Sequence, residues 1–347
     1  MWKILFPIAL LFLGASGYIL SKEENDALQK YCGTGMKIPT KYNRKITNGM
    51  DTKFDDAPWT AKVLRKEFVN KDTYGYVTGT LISPKHVLSH WHAFVSYNGG
   101  RTWNTRFFNR TMSKTRCEGS DYVMDPSFTQ YMTIDFDIDG TVYKHKVAKV
   151  VILEKCANID DVNRPMLIEL AEPLKNDKIK PICVDFNRKT WSQTKELKFF
   201  GWGAITIKGQ GHKFLAARIR SAACDLMEED VVCAKTIGNT SLNWGDHGGS
   251  AITKINKQLT LAGLYIDQRF ERNGERKDKS YKHTSYKFAH IANYHDKISR
   301  LTGIRREGYD IGTTTETGGN TTDTNGKGLG CNLAGRVINI NIFAGKA

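Results

Sequence analysis

From Ile46 onward the chain keeps returning to short apolar and β-branched runs separated by turn-rich stretches: Tyr74 to Ile82, Val147 to Leu153, Met166 to Leu170, Leu197 to Trp202 and Leu259 to Ile266. Runs of this length suit strands better than helices, and their recurrence predicts an antiparallel β protein. One helix is expected near the end, where Phe288, Ile291, Ile298 and Leu301 share a face and Gly303 stands at a C-cap position. It should dock on the β body. With 347 residues, 40% of them hydrophobic, the chain can bury a large core, as two domains or as one with two lobes.

Residues 1–17 read as a secretory signal peptide. Lys3 supplies the positive start, Ile4 to Leu13 the apolar core, and Ala15-Ser16-Gly17 a small-residue cleavage site. The apolar stretch is too short to span a bilayer comfortably and no second span follows, so a secreted, extracellular chain without a membrane span is expected. Export places Cys32, Cys117, Cys156, Cys183, Cys224, Cys233 and Cys331 in an oxidising compartment. Seven is odd, so at least one is left over. Sequons at Asn109, Asn239 and Asn320 are compatible with the same route.

Residues 18–45 are polar, hold one cysteine and end in Arg44-Lys45, which reads as a pro-segment. Beyond residue 304, the Thr/Gly/Asn-rich tail over 305–347 is too poor in apolar residues to fold alone, and a disordered or O-glycosylated tail is expected. Cys331 to Ala347 regains apolar character without an assignable role. The net charge of +15 favours acidic partners such as anionic polymers or surfaces. Its densest stretch, Arg269 to Lys282, is diluted by acidic residues and reads as a solvated loop. No metal finger, heptad or aromatic RNA-reading motif accompanies the charge, so no nucleic-acid partner is expected.

Four segments, taken in order, resemble landmarks of the chymotrypsin-like, or trypsin, family of serine peptidases over about residues 45–304. Lys45-Ile46-Thr47-Asn48-Gly49 with Ala57-Pro58-Trp59 is similar to the activation site. Gly79 to His92 resembles the strand leading to the catalytic histidine. Phe200-Gly201-Trp202-Gly203 resembles a strand of the second barrel, and Gly245-Asp246-His247-Gly248-Gly249 the nucleophile loop. The pro-segment and an insertion around Arg101 to Tyr131 are similar to a divergent nematode branch. The resemblance implies an all-β fold of two six-stranded antiparallel barrels, a C-terminal α-helix, and a site in the cleft between the barrels.

The family's chemistry requires a serine hydroxyl, a histidine base and an aspartate that orients the histidine. The resemblance assigns His92 to the histidine. It puts Arg164 at the aspartate position, where a nearby cation would disfavour protonated His92. Asp160 and Asp161 lie upstream, but a shift of register to bring one back is disfavoured. His247 occupies the serine position, and an imidazole there is not held for acyl transfer. Ser250 is three residues further on and cannot reach the same point without rebuilding the loop.

Other parts carry over. Backbone N–H groups of Gly245 and His247 would form the oxyanion hole. Asp246 would pair with a new amino terminus at Ile46 after a cut at Lys45. Ser241 stands at the base of the specificity pocket and implies a non-acidic one, while Ile266-Asp267-Gln268 replaces the usual peptide-binding Ser-Trp-Gly. Val77, Ala93 and Asn243 stand where cystine tethers are expected. The same alignment implies the disulfides Cys32–Cys183, Cys117–Cys156 and Cys224–Cys233, leaving Cys331 over.

His90, His92 and His247 could approach one another in the cleft, but His90 and His92 lack a ligand spacing and no metal or other cofactor is expected. The expected function is a catalytically inactive, secreted trypsin-like protease homologue that binds or regulates a protein or peptide partner. The alternative is an active or weakly active serine-type endopeptidase; a basic protein that binds acidic polymers is a third.

Overall fold

Two rings of six antiparallel strands carry the chain, and both have the same order. The computed structural model describes residues 17–35, 50–68, 71–91, 95–97, 103–105, 111–112, 116–157, 164–204, 212–224, 230–238, 240–242, 245–271 and 282–306. All lie in one compact unit, Met1–Tyr309; the unit Asp310–Ala347 is outside the described residues. The first ring contains β1 (Thr60–Phe68), β2 (Lys71–Ser83), β3 (His86–His90), β4 (Met132–Ile138), β5 (Thr141–Ile152) and β6 (Pro165–Leu170). The second contains β7 (Leu197–Ala204), β8 (His212–Ala222), β9 (Val231–Thr236), β10 (Ser250–Ile255), β11 (Gln258–Glu271) and β12 (Lys282–His290).

Strand pairing closes the first ring in the order β1-β2-β3-β6-β5-β4, with β4 returning to β1. The second closes as β7-β8-β9-β12-β11-β10, with β10 returning to β7. Counting strands from the start of each half, the two cyclic orders coincide. This is the double antiparallel barrel of trypsin-like proteins. Closure leaves no unpaired strand edge within either ring.

Side chains at alternating positions fill the interiors. Val63, Leu81, Val87, Ile134, Phe136 and Ile152 are fully or almost fully buried in the first barrel, and Phe199, Leu215, Ile219, Tyr265 and Phe288 in the second. Each large apolar side chain removed from water contributes about 1.5–3 kcal/mol. Between the barrels, Trp59 meets Phe200 edge to face at 5.7 Å and donates its indole N–H to Ser250 Oγ at 3.0 Å.

The segment 17–35 contains a helix, Lys22–Tyr31, which the polar composition of residues 18–45 had not suggested. Ser21 and Glu24 form a reciprocal capping box, a signal present in the sequence. The helix is built into the body: Asn25 exchanges hydrogen bonds with the backbone of Arg305, and Gly33 with Pro181 and Leu259. Cys32 and Cys183 form a disulfide with Cα atoms 5.0 Å apart. Cys117–Cys156 and Cys224–Cys233 form two more.

Two sequence expectations need correction. The C-terminal helix is shorter than its apolar stripe implied, because Phe288 lies in β12 and Ile291–Tyr294 is a 3-10 turn; the α-helix is His295–Thr302. Gly303 caps it in the left-handed conformation, φ 78°, with its N–H on Ser299 O. The basic stretch Arg269 to Lys282 is not wholly a loop: β11 continues to Glu271, which pairs with Lys282 of β12. Cross-strand pairing there outweighs local polarity. No described helix is long and apolar enough to cross a membrane.

Candidate functional site

The loop 245–249 is gripped by the first barrel through one threonine. Thr78 of β2 donates its N–H to the carbonyls of Gly245 and His247, both at 2.9 Å, and its hydroxyl to Gly245 O at 2.8 Å. Its Oγ1 accepts from Trp202 N–H at 2.8 Å, and its carbonyl accepts from Ser89 at 2.7 Å. Thr80 adds a bond to Gly248 O at 3.2 Å. From the other side, Gly248 N–H donates to Tyr265 O, and Tyr265 N–H to Gly249 O. Hydrogen bonds thus hold a loop for which the resemblance expected a cystine tether at Asn243. Gly249 N–H bonds to Asp246 O at 2.8 Å, which directs the His247 N–H, on the opposite edge of that peptide plane, the other way.

His247 stacks on two rings. Its centroid is 5.0 Å from Tyr265 at 27° and 5.7 Å from His90 at 22°. His90 and Tyr265 are completely buried, so these rings are fixed surfaces. Burial, with Asp246 and Tyr286 nearby, pushes the Tyr265 phenol far up, so it stays neutral. The loop therefore presents a packed imidazole where the resemblance placed a nucleophile. Ser250 is no substitute, since its hydroxyl is buried and accepts from Trp59. Ser241 is part-buried and hydrogen-bonds with Tyr286.

Arg164 immediately precedes β6, whose Pro165 pairs with His90, so the register carries it beside Trp91. Its guanidinium is held by Glu154 at 3.0 Å, Asp230 at 2.6 Å and the Tyr294 hydroxyl at 3.2 Å. Burial first, then Asp230, raises the Glu154 pKa, while Arg164 and Lys297 oppose the rise. Lys297 reaches Asp121 at 3.0 Å and Glu154 at 3.9 Å, and Arg300 reaches Asp121 at 2.6 Å. Three cations meet three carboxylates. Glu154 and Asp230 thus offset the Arg164 charge.

Asp246 is fully buried beneath the loop. A Cβ on Gly203 would stand 2.2 Å from its Oδ2, and one on Gly201 2.6 Å from its Oδ1, so glycines of β7 form the floor on which the carboxylate lies. Nearby, Lys155 is buried with its ammonium 3.9 Å above the Trp91 ring. His92, Lys45, Ile46, Ala93, Asp160, Asp161, Asn243, Cys331 and the sequons at Asn109, Asn239 and Asn320 lie outside the described residues. Among the described residues, no group of three His, Cys, Asp or Glu side chains is placed to hold a metal ion.

The chain is matched over residues 2–304 by the profile of the nematode trypsin-6-like family. It belongs to that family. Comparison with curated proteins gave no match. Among solved structures, the scabies mite inactivated protease paralogue S-I1 is similar at 17% identity and TM-score 0.46, over 73% of this chain and 97% of that one. Within this nematode trypsin-6-like protein, sequence reasoning located the loop and the strand before it but missed Thr78, Glu154 and Asp230. Thr78 carried a usable signal, a polar residue within the Tyr74 to Ile82 strand run.

Proposed function

We propose that this nematode trypsin-6-like protein is a secreted, catalytically inactive protease homologue that acts by binding a protein or peptide partner. The observation that carries the reading is the His247 ring, stacked on Tyr265 and His90 where acyl transfer requires a free hydroxyl. Arg164 adds to it, since a guanidinium engaged by two carboxylates cannot orient a histidine as an aspartate does. The three disulfides suit an extracellular setting. The test is labelling of protein purified from culture medium, before and after cleavage at Lys45, with an active-site phosphonate. No serine should react, and labelling at any serine overturns the reading.

Retention of the activation switch belongs to the same proposal. Met50 pairs with Ala216, which pairs with Phe200, the neighbour of Gly201 over the Asp246 carboxylate. Two strand spacings are about 10 Å. The four residues back to Ile46 reach about 14 Å, enough to bring a new amino terminus to Asp246. A cut at Lys45 would then tighten the loop without creating an enzyme.

A further inference from the structure

A few residues at the start of the described chain are fixed more firmly than a leader requires. Tyr18 lies against His86 with centroids 6.2 Å apart and under the Lys85 ammonium at 4.6 Å. Its carbonyl accepts from His86 Nε2 at 3.0 Å. Because a carbonyl only accepts, Nε2 carries the proton and Nδ1 accepts from Ser83 at 2.7 Å. Leu20 N–H bonds to Thr302 O at 2.8 Å. Chain starts are ordered only when something ties them down, and here ring, carbonyl and amide are all tied.

These anchors aim Gly17 at a carboxylate. Gly17 lines a pocket of about 210 Å³ with Ile19, Val151, Leu167 and Leu301, and Glu169 is the carboxylate on its wall. A Cβ on Gly17 would stand 2.9 Å from Glu169 Oε2, so a side chain there would meet the carboxylate. The Glu169 side chain is 14% exposed, with Lys85 3.9 Å from its other oxygen. Of the other cations around it, Lys149 is the cross-strand partner of Glu169, its ammonium 3.9 Å from the same Cβ position and 3.9 Å from Glu118, and Arg300 pairs with Asp121.

We propose that processing exposes the Gly17 amine and that this amine docks on Glu169, a latch made by secretion itself and separate from the Ile46 switch. This puts the cut one residue before the end of the 1–17 signal reading, where Ser16 and Gly14 supply the small residues that a signal-processing endopeptidase needs at its last and third-last positions. Hydrolysis adds water across the Ser16–Gly17 bond, leaving a carboxylate on Ser16 and an amine on Gly17 that takes up a proton. Freed of Ser16, the terminal residue can turn about its Cα–C bond, which brings the ammonium to the place a Cβ would take, beside Glu169 Oε2. The proposal rests on the export reading above.

The full chain, secreted from a eukaryotic host and purified from the medium, gives the test. Its intact mass should correspond to a start at Gly17. Secreted protein beginning elsewhere overturns the latch alone, whereas chain retained in the cell with Met1 overturns export as well. The Gly17 amine, ordinarily titrating at about 8, should titrate about one unit higher in the wild type than in Glu169→Gln, read from its dimethylated NMR signal. Equal values overturn the proposal. If the variant does not fold, the wild type suffices: its amine should be modified about tenfold more slowly at neutral pH when native than in urea, the ratio one unit implies. Equal rates overturn it.

Discussion

Arg164 Nη1 stands 2.6 Å from Asp230 Oδ2, so the residue that opens the last strand of the first barrel is bonded to the residue that opens β9 of the second. Tyr294, just before the C-terminal helix, closes the arrangement. Arg164 thereby joins the two barrels.

Arg164→Ala leaves Glu154 and Asp230 facing each other without their cation. Loss of one partner of a fully buried pair costs about 3–5 kcal/mol. Both carboxylates keep close to a third of their exposure, so about 2–3 kcal/mol is expected in urea unfolding. Arg164→Asp should cost more. Arg164→Asp with His247→Ser should therefore gain no phosphonate labelling and unfold at lower urea than the wild type.

Acidification should weaken the fold through His86. Burial lowers its pKa from 6.5 to about 4, so the folded protein keeps it neutral while the unfolded chain protonates below pH 6.5. The unfolded state binds more protons between those values, and stability rises with pH across that window. The contribution is fully present above about pH 6.5 and lost on descent to about 4, some 3 kcal/mol in all. His86→Gln should flatten that part of a stability-against-pH curve measured by chemical denaturation.

Gly203→Ala places a methyl group against the Asp246 carboxylate. The cost should fall at the upper end of the about 1–3 kcal/mol typical of overpacking, since strand and loop are both buried. Near-ultraviolet circular dichroism should change with it, because Trp202 adjoins the site. An unchanged melting curve would show that the carboxylate can move aside.

A cut after Lys45 should release nothing. The segment bearing the Lys22–Tyr31 helix remains joined through Cys32–Cys183, so the cleaved protein should run as one species without reductant and as two with it. Replacing both cysteines by serine should cost about 2–5 kcal/mol and allow the cut segment to dissociate.

The strands were legible as apolar and β-branched runs, those starting at Tyr74, Val147, Met166, Leu197 and Leu259 lying in β2, β5, β6, β7 and β11, while their closure into two barrels came from the resemblance. Gly303 was legible because a left-handed cap is a local requirement. What escaped depended on partners distant in sequence. Nothing near Arg164 announces Asp230, 66 residues away, and nothing near Thr78 announces Gly245, 167 away. The Phe288 error had the same origin, since pairing with Tyr265 and Val232 decided its conformation over the local stripe. His247 was identified by its place in the loop, but its stacking on His90 required the barrels to close first.

The bonds from Leu20 to Thr302 and between Asn25 and Arg305 also set a mechanical path. Tension applied between the chain before Leu20 and the chain after Arg305 passes directly across these contacts. On the first barrel the load bears only where Tyr18 meets His86 of β3. A protein strung between two attachments would yield first at this seam, before the strands of either barrel part.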